Sequence, residues 1–190
     1  MDDQQRKSDF EQSAHDSWRW ILEGEKLSQA ANYLHKEYTD ALEAIKKKSV
    51  ESWPPGAEML APMIFIRAIS LENLVKALYI KYGNSVTDGN GKLDFNKHDL
   101  LWFYRYLDIT LSRNQENTLE KLSQAIYSWG RYPVPKSYKQ WRQDVPGITG
   151  MQPIFTWSEE NSVAYSEVLE KTRELLKDIT RGQKPPVWYR

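Results

Sequence analysis

Between residues 129 and 142 the chain reads WGRYPVPKSYKQWR, in which Arg131, Lys136, Lys139 and Arg142 alternate with Tyr132, Tyr138 and Trp141 and no acid intervenes. Cations at this spacing can hold successive phosphates while bases stack on the interleaved rings. Arg131, Lys136, Tyr138, Lys139, Trp141 and Arg142 are therefore the candidate nucleic-acid contacts, the four cations toward phosphate and the two rings toward bases. Tyrosine and tryptophan also anchor loops to cores and to protein partners, so packing and a protein interface stand beside the RNA reading. The first residues of the run have a local explanation as well. Gly130 suits the position just past a helix, Arg131 can approach the last carbonyls, and Pro133 prevents continuation.

Two further residues carry acid–base potential, His98 and Glu72. His98 precedes an apolar helical run, where Asn96 or Asp99 would cap the helix and His98 would make a local hydrogen bond. Glu72 is a candidate general base, but Lys76 stands four residues on as its ordinary partner, in a pair worth about 0.2–0.5 kcal/mol on an exposed face. The three histidines, His15, His35 and His98, are scattered and have no recognised ligand spacing, so no metal and no cofactor are expected. Cysteine is absent, which excludes disulfides, thiolate sites and a cysteine nucleophile and fits a reducing compartment. Asp88-Gly89-Asn90-Gly91 is a turn signature without the Lys-Ser/Thr of a phosphate loop.

These residues have to be placed by helices. Lys plus Arg equals Asp plus Glu at 26 each in 190 residues, so any charged site is local and one domain is expected. Apolar positions from about Ala14 to Lys48 recur at three- and four-residue steps, the stripe of a long first helix, after a polar segment over about 1–13 that has no signal-peptide character. The stretch 59–80 is long enough for a bilayer, yet it contains Arg67, Glu72, Asn73 and Lys76, and we read it as a buried helix of a cytoplasmic protein without membrane contact. It belongs to a second helix over about 57–82. A third, short helix starts near Asn96 and a fourth covers about Gln115 to Trp129. An irregular aromatic stretch follows over about 130–157, unusually long for a loop. The last helix opens at TWSEEN, where Thr156 and Glu159 have capping-box spacing, and a tail occupies about 182–190. With no alternating strands and no repeat, the fold class is all-α, a bundle of about five helices around the second.

In this order the motifs resemble the HEPN superfamily of prokaryotic helical domains: SLENLVKALYIKYG (70–83), a polar loop, KHDLLWF (97–103), then a helix ending in GRYP (130–133). Glu72 followed by Val75-Lys76-Ala77-Leu78, the triplet His98-Asp99-Leu100, and Arg131-Tyr132-Pro133 carry the likeness, which spans about residues 15–180. The resemblance implies a helical bundle that forms a homodimer. Many such proteins are metal-independent ribonucleases of toxin–antitoxin, phage-defence or RNA-processing systems, and others only bind. The nuclease branch is similar in using an arginine, then four to six residues, then a histidine; here Lys92 has that spacing to His98, and Arg131 has no histidine after it. Cleavage by 2′-hydroxyl attack needs proton transfer and stabilisation of a charged phosphorane, so this departure weighs against a standard HEPN nuclease. The expectation is an HEPN-like RNA-binding protein working through residues 131–142. The alternatives are a protein-interaction module of accessory or antitoxin type, using aromatic loops or the PPVWYR tail, and a metal-independent ribonuclease using His98.

Overall fold

The computed structural model describes residues 2–47, 52, 54–93, 98–129 and 157–180. Six helices build it: α1 (Asp3–Ala14), α2 (Ser17–Lys46), α3 (Leu60–Lys81), α4 (Leu100–Tyr106), α5 (Arg113–Gln124) and α6 (Glu159–Thr180). A 3-10 turn (Pro55–Met59) leads into α3, and a π-turn (Ala125–Trp129) extends α5. Among the described residues no strand forms beyond an isolated bridge between Thr87 and Leu93, so the class is all-α. No described helix is long and apolar enough to cross a membrane.

Helix α3 sits at the centre. Met63, Ile64, Ala68, Leu71, Leu74, Val75, Ala77 and Leu78 are buried around most of its circumference. Leu119, Leu122 and Ile126 pack on it from the α5 side, and Val168, Leu169 and Leu176 from α6. The α2–α3 crossing is close because Gly24 lacks a side chain: a Cβ there would lie 2.7 Å from Leu74 Cγ, and Ser70 Oγ donates to Gly24 O at 2.8 Å. Gly56 makes a similar approach to the backbone of α2, where a Cβ would come within 2.6 Å of Glu37 O. In the α4–α6 contact, Tyr104 donates to Thr172 Oγ1, and Thr172 in turn donates to Val168 O, so neither buried hydroxyl lacks a partner.

The polar segment before residue 14 corrects the sequence expectation, since it is a helix. Its stripe is absent because it is polar all round. Asp2 caps it by accepting from Gln5 N–H at 2.7 Å. Glu11 then ties it to the glycine turn, accepting from Gly91 N–H at 3.1 Å and from the Thr87 hydroxyl. The turn itself follows its signature, with Asp88 Oδ1 accepting from the Asn90 and Lys92 N–H groups and positive φ at Gly89 and Gly91. The long first helix expected from about Ala14 to Lys48 is α2, and α1 precedes it, the two separated at His15-Asp16, where Asp16 starts α2 by accepting from Trp18 N–H. The total becomes six helices instead of five.

Caps elsewhere follow the residue types. Ser112 and Gln115 form a reciprocal capping box at α5, and Asp99 Oδ1 accepts from Trp102 N–H at 3.0 Å at α4. At α6 Ser158 and Asn161 form a reciprocal pair, each side chain accepting from the other's N–H. Asn96, Thr156 and the stretch 130–156 lie outside the described residues.

Candidate acid–base site

Glu72 lies in the middle of α3, on a turn whose other faces are filled by Leu71, Leu74 and Val75. Its burial follows from the helix being apolar on most of its circumference, with only the half-buried Asn73 breaking the buried run at this level. Lys76, one turn later, is equally buried, each residue being 5% exposed, and its ammonium donates to Glu72 Oε1. The pair expected as a weak surface bridge is therefore an interior one. Desolvation offsets most of the attraction of such a pair, but leaving one charge without the other costs several kcal/mol. The Trp20 ring adds a second contact, its centroid 5.4 Å from Lys76 Nζ. Trp20 is held by its own N–H donating to Ala14 O at 2.8 Å, where α1 meets α2.

His98 arrives at the same carboxylate from 26 residues away, with Nδ1 3.0 Å from Glu72 Oε1. Local chemistry fixes the approach. Asp99 caps α4, the Leu100 N–H donates to Ser123 Oγ at 2.9 Å, and that hydroxyl donates on to Leu119 O, pinning the start of α4 against α5. The π-turn after α5 presents Tyr127 to the histidine. Tyr127 Oη accepts from the His98 backbone N–H at 3.1 Å, and the two rings meet edge to face at 5.4 Å and 85°. The hydrogen bond of His98 is thus long-range, where the sequence suggests a local one.

The chemical consequence is a defined tautomer. Glu72, fixed as an acceptor, accepts a hydrogen bond from Nδ1–H, so the neutral ring carries its lone pair on Nε2. Nε2 makes no hydrogen bond among the described residues, and the His98 side chain is 25% exposed, enough for a small reacting group to approach. A buried carboxylate orienting one ring nitrogen while the other faces outward is the arrangement of a general base or acid.

The other candidates divide. Arg131, Lys136, Tyr138, Lys139, Trp141 and Arg142 lie outside the described residues. Of the remaining histidines, His15 caps the 85–86 turn, with Nε2 accepting from Val86 N–H and lying 3.1 Å from Ser85 Oγ, while the pKa of His35 is lowered by burial and then by the Arg67 charge. The three are in three separate places. An open groove of about 590 Å3 between α5 and α6, lined in part by Gln115, Glu160, Val163 and Glu167, includes neither Glu72 nor His98.

Tyr127 and Trp20 are site residues that periodicity does not single out. Each sits on an amphipathic helix, where an aromatic reads as core, and only the meeting of distant segments gives it a role. No family model, curated protein or solved structure matches the chain.

Proposed function

We propose that this chain is an HEPN-like RNA-binding protein that cleaves RNA without metal, with His98 as the acid–base group and Glu72 as its positioning residue. The observation that carries the reading is the 3.0 Å contact of His98 Nδ1 with the buried Glu72 carboxylate, with Nε2 left outward. His98 Nε2 takes the proton of a ribose 2′-hydroxyl, and O2′ attacks the adjacent phosphorus. The P–O5′ bond breaks, and the imidazolium returns its proton to the leaving O5′. The products are a 2′,3′-cyclic phosphate and a 5′-hydroxyl. Lys76, engaged with Glu72, is spent on holding the carboxylate, so the cation for the phosphorane is expected from the run that begins at Arg131. That run also supplies phosphate and base contacts, and the acting unit is expected to be a homodimer.

The experiment incubates labelled single-stranded RNA with the protein in EDTA and identifies the 3′ ends. Wild type is expected to yield cyclic phosphates, with His98→Gln and Glu72→Gln slower by about 10²-fold or more. Cleavage that persists in His98→Gln rejects the catalytic part. RNA affinity across a salt series tests the binding part: Arg131→Ala with Lys136→Ala and Arg142→Ala should weaken binding and flatten the salt slope.

A second reading, a protein-interaction module, is favoured by one feature. Tyr106 is 52% exposed, stacks on Trp102 with centroids 5.0 Å apart and lies 5.2 Å from the Tyr79 ring, forming an aromatic ledge on α3 and α4. Salt-insensitive binding of a protein, with no RNA binding, would select it.

A further inference from the structure

We propose that Arg67 and His35 form a buried binding site for a tetrahedral oxyanion of the phosphate class, where α2, α3 and the start of α6 meet. This site is separate from the acid–base pair and does not rest on the RNA reading. Arg67 and Glu72 are five residues apart on α3, which places them about 140° apart around the helix axis.

Arg67 is 4% exposed, and its Nε and Nη1 have no hydrogen-bond partner among the described residues. Its immediate company is aromatic, with the guanidinium carbon 4.9 Å from the Tyr165 ring centroid and 5.9 Å from that of Trp157. Ring faces attract a cation, but they offer no lone pair to N–H groups that point outward in the guanidinium plane. Among the described residues no carboxylate forms an ion pair with Arg67. Arg173, on the neighbouring face of α6, shows the contrast: Glu25 accepts from its Nε and Nη2, and Glu170 from its Nη1.

His35 supplies the second half. Its Nδ1 is also buried without a hydrogen-bond partner, and its pKa is lowered by burial and then by the Arg67 charge. Nε and Nη1 of Arg67 and Nδ1 of His35 are thus three buried nitrogens without a hydrogen-bond partner. A carboxylate has two oxygens to offer, whereas a phosphate or sulfate has more and supplies the missing negative charge. A buried arginine with no acceptor is otherwise less stable than a well-packed apolar residue of similar size. Of the two rings, Tyr165 is buried and Trp157 half-buried, with its indole N–H on Ser162 Oγ at 2.7 Å.

The test compares the full chain in chloride, phosphate, sulfate, acetate and adenosine monophosphate at matched ionic strength. The melting temperature is read in each, together with the pKa of His35 by NMR. Phosphate and sulfate should raise Tm by about 5–10 °C at hundredfold excess over Kd, with acetate and chloride inert. The His35 pKa should rise as the ion saturates. Arg67→Met should abolish the phosphate increment, and Arg67→Lys should retain part of it. An effect of the mononucleotide equal to that of phosphate assigns the site to a phosphoryl group free or attached, and an effect of phosphate alone assigns it to the free ion. If Arg67→Met does not fold, the wild-type His35 titration decides, and a pKa unmoved by phosphate overturns the proposal. So does a phosphate response that is no greater than chloride's.

Discussion

Helix α3 buries two basic residues nine positions apart, and it treats them oppositely. Lys76 finds Glu72 one turn before it and a tryptophan face beside it, and it hands the same carboxylate on to His98. Arg67 has Met63, Ile64, Ser70 and Leu71 at the neighbouring helical positions, finds two rings and a histidine, and has two N–H groups without an acceptor. Both cations are equally removed from water. The difference lies in whether the sequence places an acid within one turn, and it separates a charge that organises a neighbouring histidine from a charge that waits for an anion.

The sharpest way to break this comparison is to remove the acid. Glu72→Ala leaves Lys76 buried and unpaired and should lower stability by about 3–5 kcal/mol in urea unfolding. Glu72→Gln should cost less, because an amide oxygen still accepts. A loss below about 1 kcal/mol for the alanine variant would mean that the pair behaves as an exposed one.

Arg67→Met should go the other way. In phosphate-free chloride buffer it is expected to stabilise by about 1–3 kcal/mol, since it removes N–H groups that have no acceptor while keeping much of the volume. Destabilisation of that size would show that the guanidinium has an acceptor after all.

A smaller effect on folding is expected at His98. His98→Gln loses one partly exposed hydrogen bond, about 1 kcal/mol, while cleavage of RNA falls by about 10²–10⁴-fold. Equal losses in stability and activity would reduce the residue to a helix-start contact.

The smallest effect is a slope. The folded-state pKa of His35 lies below its ordinary value of 6.5, first through burial and then through Arg67. The unfolded chain therefore takes up the proton first as pH falls below about 6.5, and stability drops from there until the folded pKa is passed. His35→Gln should flatten this acid-side decline, and saturating phosphate should flatten it in the wild type. An unchanged slope in both would place the acid sensitivity elsewhere.

Much of the helical frame is legible in the residues. The apolar circumference of α3, the Asp99 cap, the Asp88-Gly89-Asn90-Gly91 turn and the apolar stripe of α6 all follow from periodicity and short-range hydrogen bonding. Helix α1 is not legible because its stability comes from a cap and from Glu11 reaching the turn some 80 residues on, contacts that leave no stripe. Glu72 and His98 can each be singled out as acid–base residues, yet nothing in their spacing of 26 joins them. The aromatic run from Arg131 to Arg142 remains a sequence-level expectation on which the RNA reading depends.

The sequence by itself determined that the chain forms helices, where several of them stop, and that an apolar central helix contains Arg67, Glu72 and Lys76. Those outcomes rest on contacts within about one helical turn, which residue order encodes directly. Only the tertiary structure decided that Glu72 and Lys76 are buried, that His98 meets the same carboxylate with its outer nitrogen open, and that Arg67 comes to lie between rings without an acceptor. Burial and long-range pairing depend on which neighbours pack against each face, and that is set by the packing of the whole bundle.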